Sequence, residues 1–127
     1  MELVREVLLK LEPLNAHFDN PIELVIGTEP LIFKKWTQEE VGYHIRIMCQ
    51  GDLIAMSGIE TDGVTITRYL GFRWLGHEFL DDVRDPKAWK KIKAAGKKIG
   101  GGSLAFMLDV AKAYGQHEIM KAFGVNP

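Results

Sequence analysis

The sequence predicts an α+β fold, and three observations carry that reading. Apolar residues recur at helical spacing near the N-terminus and again after residue 37. Two β-compatible runs, Asp52 to Gly58 and Val64 to Tyr69, flank Glu60-Thr61-Asp62-Gly63, whose Asp-Gly pair suits a hairpin turn. Helical patterning then returns from Trp74 almost to the end of the chain. A length of 127 residues fits one domain, and 46% hydrophobic residues are enough to build a core.

The elements follow in order. In Glu2–Glu12, Leu3, Val4, Val7, Leu8 and Leu11 share a helical face, while Glu2, Arg5, Glu6, Lys10 and Glu12 fall elsewhere, and Pro13 and Asn15 end the helix. Ile22 to Ile26 reads as a short strand between Asn20-Pro21 and Gly27. The rest of 13–36 reads as loop, with Leu31, Ile32, Phe33 and Trp36 packing down. Thr37-Gln38-Glu39-Glu40 has the pattern of a capping box. The helix it opens should reach Gln50, with Gly51 as C-cap. Val41, Ile45 and Met48 share one face of it, with His44 at the margin. Tyr43, Arg46 and Gln50 fall on the other face, with Glu39 beside them.

After the hairpin, Trp74 to Arg84 reads as a helix, with Leu75, Phe79 and Val83 on its apolar face, flanked by Leu80. Asp85-Pro86 interrupts the helical pattern, and Pro86 suits the first turn of the next helix. That helix runs to about Lys98, with Trp89, Ile92, Ala95, Gly96 and Ile99 on one side. Gly100-Gly101-Gly102 reads as a hinge. Ser103 then caps a last helix, Leu104 to about Phe123, ended by Gly124 and Pro127. Its end, with Ile119, Met120 and Phe123, is apolar enough to dock on the core or to pair with a second subunit as a homodimer.

Helix, short strand, helix, hairpin, then helices is the order of a winged-helix-like domain with additional C-terminal helices. Residues 1–99 form its core, about 52–70 its wing, and 100–127 the closing helix, within a single domain. The helix before the hairpin would be the recognition helix. A full helix-turn-helix needs a further helix before Thr37, which residues 13–36 do not offer.

Composition narrows the function classes. The formal net charge is −1 and the pI near 6.4, so nucleic acid is permitted but not advertised. One cysteine, Cys49, allows neither an internal disulfide nor a Cys-based zinc site, and reads as a small packed side chain. No apolar run approaches a membrane span, and the acidic, amphipathic N-terminus is unlike a signal peptide. The expectation is a cytoplasmic protein with no membrane association.

The stretch GHEFLDDVRD, residues 76–85, holds a histidine and four carboxylates. His77 and Asp81 are spaced i,i+4 and could share a metal, but a site would need further ligands and a second layer of hydrogen bonds. The plainer reading is a solvated helix face. Lys87, Lys90, Lys91, Lys93, Lys97 and Lys98 then form a lysine face, read either as solvated or as a phosphate-binding surface. Gly100 to Ser103 lacks the Lys-Ser/Thr ending of a phosphate loop. No catalytic residue, metal ligand or cofactor is expected, and the protein reads as a non-enzyme.

GHEFLDDVRDPKAW at 76–89, GGGSLAFMLDVAKAY at 100–114 and VGYHIRIMCQGDLI at 41–54 resemble a family of bacteriophage and prophage proteins, DUF2513. The opening MELVREVLL is similar to that family's first helix. The resemblance implies a winged-helix-like fold and no assigned activity. The chain departs from the family pattern just before Gly76. Phe72-Arg73-Trp74-Leu75 replaces Leu-Thr-Trp-acid, so the threonine that would cap the next helix is missing.

Two functions follow as expectations. One is a small phage- or prophage-type regulator that binds DNA through the Thr37–Gln50 helix and the Gly58–Val64 wing. The other is a protein-interaction module that inhibits a host complex by occupying a surface, as an anti-CRISPR or other counter-defence protein does. Lys34, Lys35, Tyr43, Arg46, Gln50 and Arg68 are the candidate nucleic-acid or partner contacts for either.

Overall fold

The computed structural model describes residues 2–61, 64–100 and 103–124. The expected Asp62-Gly63 turn, the Gly101-Gly102 part of the hinge and the terminal Pro127 lie outside the described residues. Contacts divide the chain into two compact units, residues 2–77 and the residues from Glu78 on.

The first unit contains α1 (Glu2–Leu11), β1 (Ile22–Val25), α2 (Gln38–Gln50), β2 (Ile54–Thr61), β3 (Val64–Phe72) and the start of α3 (Trp74–Val83). The three strands form an antiparallel sheet in the order β1-β3-β2. Ile22 lies opposite Tyr69, and Ile54 opposite Phe72. Ala55 pairs with Gly71 but Met56 with Tyr69, so Leu70 is the extra residue of a β-bulge. α1 packs on α2. Leu3, Val4, Val7, Leu8 and Leu11 of α1 are buried, as are Val41, Ile45 and Met48 of α2. Leu24, Leu31, Leu53, Ile54 and Tyr69 are buried as well.

The second unit takes up the rest of α3, then α4 (Pro86–Ile99) and α5 (Leu104–Ala122). Phe79, Leu80 and Val83 of α3 are buried with Trp89 and Ile92 of α4 and Met107 and Ala111 of α5. Phe79 and Trp89 meet edge to face, ring centroids 6.4 Å apart at 84°. Asp85 starts α4 by accepting from the N–H groups of Lys87 and Ala88, both at 3.4 Å. Ser103 starts α5 by accepting from the Phe106 N–H at 3.1 Å.

Several local expectations are corrected. Arg5, assigned to the polar side of α1, is 8% exposed. An arginine stem can lie along apolar neighbours while its head reaches a carboxylate, here Glu6 at 3.7 Å. Leu75 sits at the first turn of α3, where the apolar face has only begun, and stays 41% exposed. Ile99 and Ala95 are exposed because the buried stripe of α4 narrows to Trp89, Ile92 and Gly96. Gly51 does cap α2, but the left-handed residue at that corner is Asp52, φ 61°. Between β1 and α2 the described chain contains no helix, in keeping with the loop expected there.

Candidate functional site

The geometry of α2 follows from its first turn. Thr37 Oγ1 accepts from the Glu40 N–H at 3.2 Å, and Glu40 Oε1 accepts from the Thr37 N–H at 3.1 Å. This reciprocal pair satisfies two donors that a helix start leaves open. The apolar stripe of the helix, Val41, Ile45 and Met48, points inward. Tyr43, Arg46 and Gln50 form an outward stripe, all exposed. His44, at the margin, is half-buried and donates from Nδ1 to the Glu40 carbonyl at 2.8 Å.

Tyr43 and Arg46 line a groove of roughly 860 Å³ between α2 and the sheet. Val25, Ile26, Ile45 and Met56 supply apolar wall, and Gln38, Glu39 and Thr67 supply polar groups. Thr67 is held in place by donating from Oγ1 to the Leu24 carbonyl at 3.0 Å. Cys49 also lines the groove. Burial pushes its thiol pKa up, against a smaller opposing pull from a backbone hydrogen bond at Met56, so it stays protonated and unreactive near neutrality.

The six sequence candidates do not converge. Tyr43 and Arg46 share the groove, and Gln50 continues their stripe one turn on. Lys34 and Lys35 are exposed in the loop that precedes the Thr37 cap, between the buried Leu31 and the half-buried Trp36. Arg68 is separated from the rest. Thr67 and Tyr69 are buried on the face that meets α2, and side chains alternate along a strand, so Arg68 points from the opposite face.

A second pocket, of roughly 510 Å³, was not foreseen. It lies where residues 12–18 cross the end of β3, and its lining includes Glu12, His17, Phe18, Tyr69, Arg73 and His77. Burial and the charge of Glu12 both hold the Tyr69 phenol in its neutral form. His77 lies against Phe72, ring centroids 5.1 Å apart. Its supposed metal partner Asp81 instead accepts from Arg84 at 3.3 Å. Among the described residues, no group of three or more His, Cys, Asp or Glu could hold a metal ion, and no helix is long and apolar enough to cross a membrane.

Charge is divided unequally between the units. Residues 1–77 carry seven Lys and Arg against eleven Asp and Glu, whereas residues 78–127 carry nine against six. The excess on the second unit comes from α4, which has six lysines and no acid. At about 100° per residue these lysines fill one arc, opposite Trp89, Ile92 and Gly96. Lys93 lies over the Trp89 ring, 5.4 Å from its centroid. Lys87/Lys90, Lys87/Lys91, Lys90/Lys93 and Lys93/Lys97 are like-charge neighbours of the type that destabilises a helix by about 0.2–0.5 kcal/mol each. Farther along the chain, Ile119, Met120 and Phe123 are exposed at the end of α5, Phe123 by 80%.

Comparison with known proteins adds a family. The family described as "Hypothetical protein (DUF2513)" matches over residues 1–103, which include α1 to α4. An uncharacterized protein of Haemophilus influenzae is 29% identical over 116 residues, covering 91% of this chain and 89% of the relative. No solved structure matches.

Proposed function

Because the chain belongs to the DUF2513 family, whose description assigns no activity, we propose its function from its own surfaces: it is a nucleic-acid-binding regulator of winged-helix type, acting in a phage or prophage setting. The observation that carries the reading is the division of α2, with Val41, Ile45 and Met48 buried and Tyr43, Arg46 and Gln50 outward. Arg and Gln are the side chains best suited to paired hydrogen bonds with guanine and adenine edges. The order α1-β1-α2-β2-β3, with β1 beside β3, supports a winged-helix arrangement in which α2 is the reading helix and the β2–β3 hairpin the wing.

The acidic balance of residues 1–77 assigns α2 a narrow task. It reads base edges, while most of the phosphate attraction comes from elsewhere in the chain. Selection from a randomised duplex library tests this. The protein is expected to enrich a defined motif, and Arg46→Ala should weaken binding to it by about 10-fold or more. Failure of the wild-type protein to enrich any motif would sink the reading.

The groove beside α2 favours a second reading, the protein-interaction module that inhibits a host complex. Its rim carries Tyr43 and Arg46, residue types that anchor protein interfaces, above an apolar wall. On that reading Tyr43→Ala abolishes capture of a host complex while no duplex motif is enriched.

A further inference from the structure

We infer that the lysine face of α4 is a second nucleic-acid contact surface, one that holds the phosphate backbone of a duplex without reading its sequence. Only the ligand class rests on the reading above; the surface is argued from different residues in a different unit.

Folding alone accounts for part of this face. Lys97 and Lys98 lie in the last turn of α4, where cations complement the helix dipole, ahead of the left-handed Gly100 that closes it. Lys93 covers the Trp89 ring. Lys87, Lys90 and Lys91 have no such reason. They sit in the N-terminal half, where the dipole disfavours positive charge, and they repel one another at i,i+3 and i,i+4 spacing. All three are exposed, and among the described residues none forms an ion pair with a carboxylate.

A polyanion removes that repulsion. From Lys87 to Lys98 the helix is about 16 Å long, the axial length of about five phosphates along one strand at ~3.4 Å each. A lipid surface fits less well. A helix that inserts into a bilayer needs a free apolar face, and here Trp89, Ile92 and Gly96 are buried. An acidic protein partner would present its charges on separate side chains, without the regular spacing of a backbone.

The test uses the full chain and a fluorescently labelled duplex of random sequence, with anisotropy measured from 50 to 200 mM KCl. The wild-type protein is expected to show a log K against log salt slope near −4, as four or five phosphates are neutralised. The triple variant Lys87→Gln/Lys90→Gln/Lys91→Gln should lose about 2.7 units of that slope and at least 10-fold in affinity at 50 mM. The same variant should melt at a higher temperature than the wild type, because its helix no longer repels itself. Arg46→Ala should change the slope by one unit at most.

An unchanged slope in the triple variant overturns the inference, as does absence of duplex binding by the wild-type protein. Binding to vesicles containing phosphatidylserine that equals or exceeds duplex binding overturns it in favour of a membrane. A slope lost in the triple variant, with no motif enriched through α2, leaves this surface standing and removes the α2 reading.

Discussion

Gly71 of β3 lies directly against the backbone carbonyl of Ala16, so that a Cβ at residue 71 would come within 2.6 Å of that oxygen. The glycine also has φ 114°, which an L side chain rarely adopts. It stands beside the bulged Leu70, where the strand turns to let residues 15–20 cross. Gly71→Ala therefore meets strain and a backbone clash together. A loss on the order of 2–4 kcal/mol is expected in urea unfolding. Gly58 of β2 is the control. A Cβ there meets nothing within 4 Å, and Gly58→Ala should be neutral or stabilising by up to ~1 kcal/mol. Equal effects from the two substitutions would contradict the crossing.

Trp89 and Trp74 should behave as opposites. Trp89 is 3% exposed and meets Phe79 edge to face, whereas Trp74 is 73% exposed. Trp89→Ala opens a cavity and should cost about 3–5 kcal/mol. Trp74→Ala should stay within about 0.5 kcal/mol of the wild type. Iodide quenching supplies an independent reading, since the Trp74→Ala protein should lose the most quenchable component of the tryptophan emission.

Thr37 and Glu40 satisfy each other's backbone donors, so their contributions should be coupled. Thr37→Ala should destabilise by about 1 kcal/mol. Once it is in place, Glu40→Ala should cost less than in the wild type but not nothing, because the Thr37 Oγ1–Glu40 Oε1 hydrogen bond at 3.2 Å is gone while the backbone N–H of residue 37 still donates to Glu40. A double-mutant cycle measured by urea unfolding checks this, and strict additivity would show that the two halves of the cap act independently.

The cap of α2 was legible because its signal is local, four residues spaced for one reciprocal pair. The buried stripes of α1 and α2 were legible for a similar reason, since a 3.6-residue period depends little on what lies opposite. Leu75, in the first turn of α3, and Ile99, at the last residue of α4, are exposed because the phase of an apolar stripe does not say whether a neighbouring element reaches far enough to cover its end. Asp85-Pro86 carries two signals at once, a break in the preceding helix and an N-cap for the next, and the structure uses both. The position of Arg68 depends on which face of β3 meets α2, and that is decided by pairing with β1, 43 residues away for the Thr67–Leu24 hydrogen bond. The pocket at Glu12, His17 and His77 needs a bulge and a chain crossing, neither of which has a periodic signature.

Asp82 should make the protein less stable as pH rises through weakly acidic values. Its carboxyl is pushed up from 3.8 to about 6, chiefly by burial and then by the charges of Asp81 and Glu78, with Lys112 pulling the other way. The carboxylate lies close to Gly115 of α5, where a Cβ would come within 2.5 Å of Oδ1. A raised carboxyl pKa means that the folded form binds the proton more tightly than the unfolded form. Below about pH 4 both forms are protonated and there is no penalty. Between about pH 4 and 6 the unfolded chain ionises first, so stability falls with rising pH, and above 6 the full cost is present. Two pH units correspond to ~3 kcal/mol, and solvent screening of a half-buried group reduces this to about 1 kcal/mol. Asp82→Asn should thus leave stability nearly unchanged at pH 3.5 and raise it by about 1 kcal/mol at pH 7.5. Urea midpoints for both proteins at pH 3.5, 5 and 7.5 give the comparison, and the difference between them cancels the other carboxylates that titrate in the same range. A variant whose loss of stability grows from pH 3.5 to pH 7.5 would show that the Asp82 carboxylate is held by a favourable partner and not against its own charge.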